Sequence, residues 1–185
     1  VTTTQRSTTL EQNGSEVHTT EHILAALYGM DVDNAIIEID GPELPILDGS
    51  AKFWVEAIVK AGLEEQDAER EYFYLNENIK FDSEASGAEY LAIPDDHYRV
   101  TVMVDYHSPL LGTQHASMYH ISEFEKEFAS CRTFVFLREL VQLVDAGLIK
   151  GGDANNAIVM VDREISEADK EKLAKAFNRP SSIIE

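Results

Sequence analysis

Apolar and polar positions change rhythm several times along this chain, and each change marks an element. Residues 1–10 are threonine-rich and β-prone, with Thr2, Thr4 and Ser7 alternating against Thr3, Arg6 and Thr8. Asn13-Gly14 is a strong turn signal, so a hairpin is expected ahead of the first helix. That helix opens at Glu21 and His22, with Thr19 or Thr20 as N-cap. Ile23, Leu24, Leu27 and Tyr28 supply its apolar face, and Gly29 ends it. From Asn34 to Asp40 the pattern alternates around Ile37 and Ile39, which predicts a strand closed by Gly41-Pro42. Ser50 then caps a second helix, where Phe53, Trp54, Ala57, Ile58 and Ala61 form one apolar stripe ending at Gly62.

Between Leu63 and Glu71 the chain turns acidic (LEEQDAERE) and poor in apolar residues, which reads as a linker. Strands are predicted over residues 72–81, 89–93, 98–106 and 114–121, with Pro94-Asp95-Asp96 turning between the second and third. Ser122 with Glu125 reads as a capping box opening a helix that carries Phe124 and Phe128 one turn apart. Residues 133–136 form a short β-like break and 137–146 return to helix. A strand follows over 157–161, and Ser166 with Asp169 caps a last amphipathic helix to Phe177. The expectation is an α+β protein of two similar two-layer domains, each a small, mostly antiparallel sheet packed on helices. Residues 1–62 and 72–185 are the two domains, with 63–71 as the linker. A faint echo between Asn34-Ala35-Ile36 and Asn156-Ala157-Ile158 fits a duplicated domain.

Composition narrows the function. At 185 residues and 44% hydrophobic the chain can bury a proper core. A net charge of −19 argues against nucleic acid as a partner, since phosphate binding needs a basic surface. Cys131, the single cysteine, excludes an internal disulfide, fits a reducing compartment, and reads as a small buried apolar residue. No apolar run approaches membrane-spanning length, and the polar start is no signal peptide.

Candidate chemistry gathers at Glu21-His22. An imidazole in a first helical turn can ligate a metal, because the helix end favours its neutral form. A carboxylate beside it can take a proton from a metal-bound water. Taken alone, such a pair is more often a solvated first turn. His18-Thr19-Thr20-Glu21-His22 also reads H-x-x-E-H, the inverted metalloprotease signature. A non-catalytic interaction domain, with both residues merely structural, is the third reading.

The text around that pair decides among these. T-x-E-H at 19–22, G-x-x-x-D-N-A at 29–35 and P-I-L-D-G-S-A at 45–51 resemble the zinc-dependent UDP-3-O-acyl-N-acetylglucosamine deacetylases of lipid A synthesis. C-R-T-F-V-F at 131–136 and G-G-x-x-x-N-A-I-V at 151–159 extend the resemblance over nearly the whole chain. It implies hydrolysis of the substrate's N-acetyl amide, with Glu21 as general base and His22 as first zinc ligand. Thr133 would donate to the oxyanion, Phe134 and Phe136 would help line the acyl passage, and Gly152 would also contact substrate. Residues 140–161 would be an inserted β-α-β unit shaping that passage, in which Asp153 stands where many members have serine. The wording is closest to the branch fused to a hydroxyacyl-carrier-protein dehydratase.

The family's other two zinc ligands come from an H-K-x-x-D helix, and no histidine here is followed four residues later by aspartate. Two truncated domains, inactive by themselves, are therefore expected, from a cytoplasmic parent enzyme. Self-association through a sheet edge of the first domain is a further expectation.

Overall fold

Asn13 and Gly14 both take positive φ, 54° and 83°. That is the backbone of a two-residue turn whose twist matches the strands it joins. The strands are β1 (Leu10–Gln12) and β2 (Ser15–Val17), paired antiparallel. Helix α1 (Glu21–Gly29) follows, then a long segment without helix or strand, then α2 (Lys52–Ala61). Two antiparallel hairpins come next: β3 (Ile79–Ser83) with β4 (Ala88–Ala92), and β5 (Val100–Asp105) with β6 (Thr113–Met118). The chain closes with β7 (Phe134–Phe136), α3 (Leu137–Asp145), β8 (Ile158–Met160) and α4 (Glu167–Ala176). This computed structural model describes residues 1–4, 6–145 and 155–178.

The α+β class is as expected, with the named strands gathered into four two-stranded sheets. β7 and β8 are the parallel pair, in register Phe134↔Ile158 to Phe136↔Met160. Parallel neighbours need a crossover, and α3 lies between them in sequence, so β7, α3 and β8 form a β-α-β unit that overlaps the expected 140–161 without coinciding with it. It begins at Phe134, ahead of the predicted start. Ser166 caps α4 as the sequence suggests: its hydroxyl accepts the Asp169 amide at 3.2 Å.

Two clusters of buried residues hold the elements. In one, Ala26 of α1, Ala51 at the N-cap of α2, Val55 within α2, and Ala129 meet, with Met30, Trp54, Ile58 and Phe124 packed around them. The first half of the chain thus shares its core with residues 124–129. In the other, Leu137 and Leu140 of α3 close on Leu173 of α4.

Several expected details fall differently. α1 buries Ile23 and Ala26, while Leu24 and Tyr28 are 43% and 54% exposed. The helices meet at Ala26, Ala51 and Val55, with Met30, Trp54 and Ile58 at the margins of the contact, which leaves Leu24 and Tyr28 outside it. On α2 the buried residue is Val55, whereas Phe53, Ala57 and Ala61 are exposed. Residues 34–40 form no strand: Ile36 is 94% exposed, and alternation without a pairing partner is not enough. The predicted Ser122 capping box is replaced by a cap from His120. The His120 ring accepts the Ser122 amide at 3.2 Å and opens a 3-10 turn (Ile121–Glu123) that passes into a π-helical turn (Phe124–Phe128). Cys131 is exposed rather than buried.

Substitutions on α2 separate the two packings. Val55→Ala is expected to cost this chain about 2 kcal/mol in urea unfolding, two methyl groups at roughly 0.8 each plus the cavity left behind. Ala57→Ser should stay within about 0.5 kcal/mol. The reverse order would restore the predicted stripe.

Candidate active site

Glu21 and His22 stand at the first turn of α1, and the chain reaches them through an unusual bend. Thr19 has φ 58°, in the left-handed region that a β-branched residue rarely occupies. Its hydroxyl donates to Glu43 Oε1 at 2.8 Å, an anchor for that strained residue. Thr20, the N-cap, makes no side-chain capping bond. Its hydroxyl instead donates to the Thr8 carbonyl oxygen at 3.0 Å, and its amide donates to the same oxygen at 3.2 Å. Glu21 Oε2 accepts the Thr8 amide at 2.9 Å, and Glu21 Oε1 lies 3.9 Å from His22 Nε2. The Glu21 side chain is 36% exposed and that of His22 15%, so both are reachable yet held against the fold.

His18 is tied into the fold by its ring and its backbone. Its Nδ1 lies 2.9 Å from the Thr9 hydroxyl, its amide donates to the Pro42 carbonyl at 2.8 Å, and its carbonyl accepts the Leu44 amide at 3.1 Å. With the left-handed Thr19 between them, His18 and His22 do not lie one turn apart on a single helix. The geometry that H-x-x-E-H needs for a protease metal is therefore absent.

A second group of functional candidates forms where three motifs converge. Within the turn at 46–49, Leu47 and Gly49 both take positive φ, 54° and 83°. The Gly49 carbonyl accepts the Thr133 amide at 2.7 Å, and the Thr133 carbonyl accepts the Ile158 amide at 3.0 Å. A Cβ on Gly49 would sit 2.1 Å from the Asn156 carbonyl oxygen and 3.0 Å from Thr133 Cγ2, so only glycine fits. Arg132 closes the seam: its Nε donates to the Asp48 carbonyl at 2.6 Å and its Nη2 to the Asn155 carbonyl. Asp48 Oδ1 accepts from the Ser50 hydroxyl at 2.7 Å and from the Ser50 amide at 3.1 Å. Fully buried Ser50 in turn accepts the Lys52 amide at 3.1 Å, starting α2.

Thr133 is consequently gripped by its backbone on both sides while its side chain stays exposed. Arg132, Asp48 and Gly49 were not singled out by sequence reasoning. Their signal was their place inside the P-I-L-D-G-S-A and C-R-T-F motifs, but their partners lie far away in sequence and no local pattern announces them. Phe134 and Phe136 form an edge-to-face cluster with Tyr106, at centroid distances of 5.5 and 6.4 Å. Phe136 is buried and carries the Arg138 guanidinium 4.0 Å above its ring, whereas Phe134 is 40% exposed. Gly152 lies outside the described residues.

A catalytic zinc takes three protein ligands and leaves one position open. Among the described residues no three His, Cys, Asp or Glu side chains converge. His22, the expected first ligand, has Glu21 Oε1 3.9 Å from its Nε2.

The family described as LpxC, UDP-3-O-acyl N-acetylglycosamine deacetylase, matches residues 1–179. A protein of Chlorobaculum tepidum named bifunctional enzyme LpxC/FabZ is 46% identical over 170 residues, covering 91% of this chain and 36% of that protein. One of the same name from Bacteroides thetaiotaomicron is 43% identical, covering 97% and 39%. A UDP-3-O-acyl-N-acetylglucosamine deacetylase of Nitratidesulfovibrio vulgaris is 38% identical, covering 91% and 54%. The chain thus spans between about a third and somewhat over half the length of these relatives.

The seam responds to pH in a defined direction. Burial pushes the Asp48 carboxyl up, but the Ser50 hydroxyl and amide and the Arg132 charge outweigh it, so its pKa is lowered on balance. Such a group stabilises the fold fully above its unfolded value near pH 4, and the contribution fades as pH falls through the lowered folded value. Asp48→Ala should cost about 1–3 kcal/mol at pH 7, since it leaves the buried Ser50 hydroxyl without its acceptor. In urea titrations the gap to the parent chain should narrow as pH falls below about 4, because the charged part of the contribution is lost while the neutral carboxyl can still accept from Ser50. A gap independent of pH would contradict this.

Proposed function

The chain belongs to the family of UDP-3-O-acyl N-acetylglycosamine deacetylases, and we propose that the complete protein hydrolyses the N-acetyl amide of UDP-3-O-acyl-N-acetylglucosamine in lipid A biosynthesis. Acetate leaves and the sugar amine is freed. The observation that carries this reading is the Glu21 carboxylate, anchored through one oxygen by the Thr8 amide and standing beside half-buried His22. In it Glu21 is the general base, taking a proton from the water that attacks the acetamide carbon. The Thr133 hydroxyl donates to the oxygen on which negative charge then develops. A backbone bonded on both sides of Thr133 supports that role, because a donor fixed in advance needs no reorganisation during reaction. The C–N bond breaks as the amine nitrogen takes up a proton.

In the complete enzyme His22 would be one ligand of a zinc ion, which would supply Lewis acidity toward the amide carbonyl. The acyl chain is read as running past exposed Phe134, with buried Phe136 packed behind it; Gly152, outside the described residues, is kept as a substrate contact in this reading. Residues 1–62 and 72–185 are read as parts of its two deacetylase domains, and 63–71, exposed and without helix or strand, as their linker. Arg70 ties that linker to the first part through Asp31 at 2.8 Å. The reading also places the enzyme in the cytoplasm; among the described residues no helix is long and apolar enough to cross a membrane. Association of this chain with itself through a sheet edge remains part of the proposal.

Acetate release by the full-length enzyme tests the assignment. Glu21→Ala should lower kcat by about 10²–10⁴-fold, the usual worth of a positioned base. Thr133→Val should lower it by about 10²-fold. Undiminished turnover in a Glu21→Ala/His22→Ala variant would end the proposal and leave the family likeness as a scaffold.

A further inference from the structure

Thr20 is 3% exposed, and a hydroxyl so buried needs a partner. The ordinary partner for a threonine at an N-cap is an amide of the helix's own first turn. Here the hydroxyl turns away and reinforces a carbonyl that the Thr20 amide already holds, that of Thr8. The amide of the same Thr8 reaches back to Glu21 Oε2. Thr8 is therefore gripped at both its carbonyl and its amide by two successive residues. The loop of contacts runs from Thr20 to Thr8 and returns to Glu21.

We propose that Thr20 is a positioning residue for Glu21, acting through the Thr8 backbone, and that Glu21 Oε1 is the oxygen that accepts the proton. This rests on the reading of Glu21 as general base. Oε2 is committed to the Thr8 amide, which stops rotation of the carboxylate about its last torsion. Oε1 is left on the side of His22, 3.9 Å from Nε2. Neighbouring contacts hold the frame: the Thr9 hydroxyl meets the His18 ring, and Thr19 hydroxyl meets Glu43. A carboxylate held within a few tenths of an ångström of its working position loses less on reaching the transition state.

The test uses the full-length, zinc-loaded enzyme. Thr20→Val keeps the shape of the side chain but removes its donor. It should lower kcat about 5–10-fold, the effect of one hydrogen bond, with KM and zinc content unchanged. Thr20→Ser returns the donor and should restore kcat. The Thr8 amide proton, shifted downfield by its carboxylate acceptor, should move upfield in Thr20→Val and also in Glu21→Gln. The Glu21→Gln shift needs no folded Thr20 variant. An unchanged kcat in Thr20→Val, a loss that serine does not restore, or a Thr8 resonance indifferent to Glu21→Gln would each overturn the proposal. A Glu21→Gln enzyme that turns over normally while moving the Thr8 resonance would instead refute the general-base reading and leave the contact standing.

Discussion

The constraint on which the rest depends is the short seam between residues 48–50 and 132–133. Arg132 reaches across to the Asp48 carbonyl, and the Thr133 amide to that of Gly49. The Thr133 bond joins backbone to backbone and the Arg132 bond joins a side chain to a backbone carbonyl, both over a large sequence separation. Each has a supporting layer. Asp48 is tied to Ser50, Ser50 starts α2, and Gly49 admits the Asn156 carbonyl where any Cβ would clash. The seam thereby connects the start of α2 to the parallel unit of β7 and β8. α2 in turn packs on α1, which carries Glu21 and His22. The two groups of catalytic candidates are linked through this chain of rigid contacts.

The threonine-rich start of the protein has a related task at the other end of α1. Buried Thr9, Thr19 and Thr20 are unusual for a surface strand, and each hydroxyl has a partner. A buried hydroxyl network that is fully paired rigidifies what it surrounds, whereas a half-paired one costs stability. Here what it surrounds is the bend before Glu21. The strained backbone of Thr19 persists because neighbours on both sides fix it.

How much of this was legible beforehand depended on whether the signal was local. The Asn13-Gly14 turn, the Ser166 cap and the β-like run before α3 are decided within a few residues, and all were readable. Burial on α1 was not: Leu24 and Tyr28 look like core, yet contact with α2 runs through Ala26. Strand character at 34–40 failed for want of a partner, and the predicted box at Ser122 lost to the competing His120 ring. Site residues were legible only where motifs held them together. Glu21, His22 and Thr133 could be named as candidates, while the seam contacts of Asp48, Gly49 and Arg132 join residues too far apart in sequence for a local pattern to show.

Amide hydrogen exchange across a denaturant series probes the seam most directly. If it couples the two halves, the Thr133 and Ile158 amides exchange only through the opening that also exposes Val55, whose amide is bonded to the Ala51 carbonyl at 3.0 Å. All three should then share one opening free energy and one denaturant dependence. Exchange of Thr133 by local fluctuation, with Val55 still protected, would contradict the account.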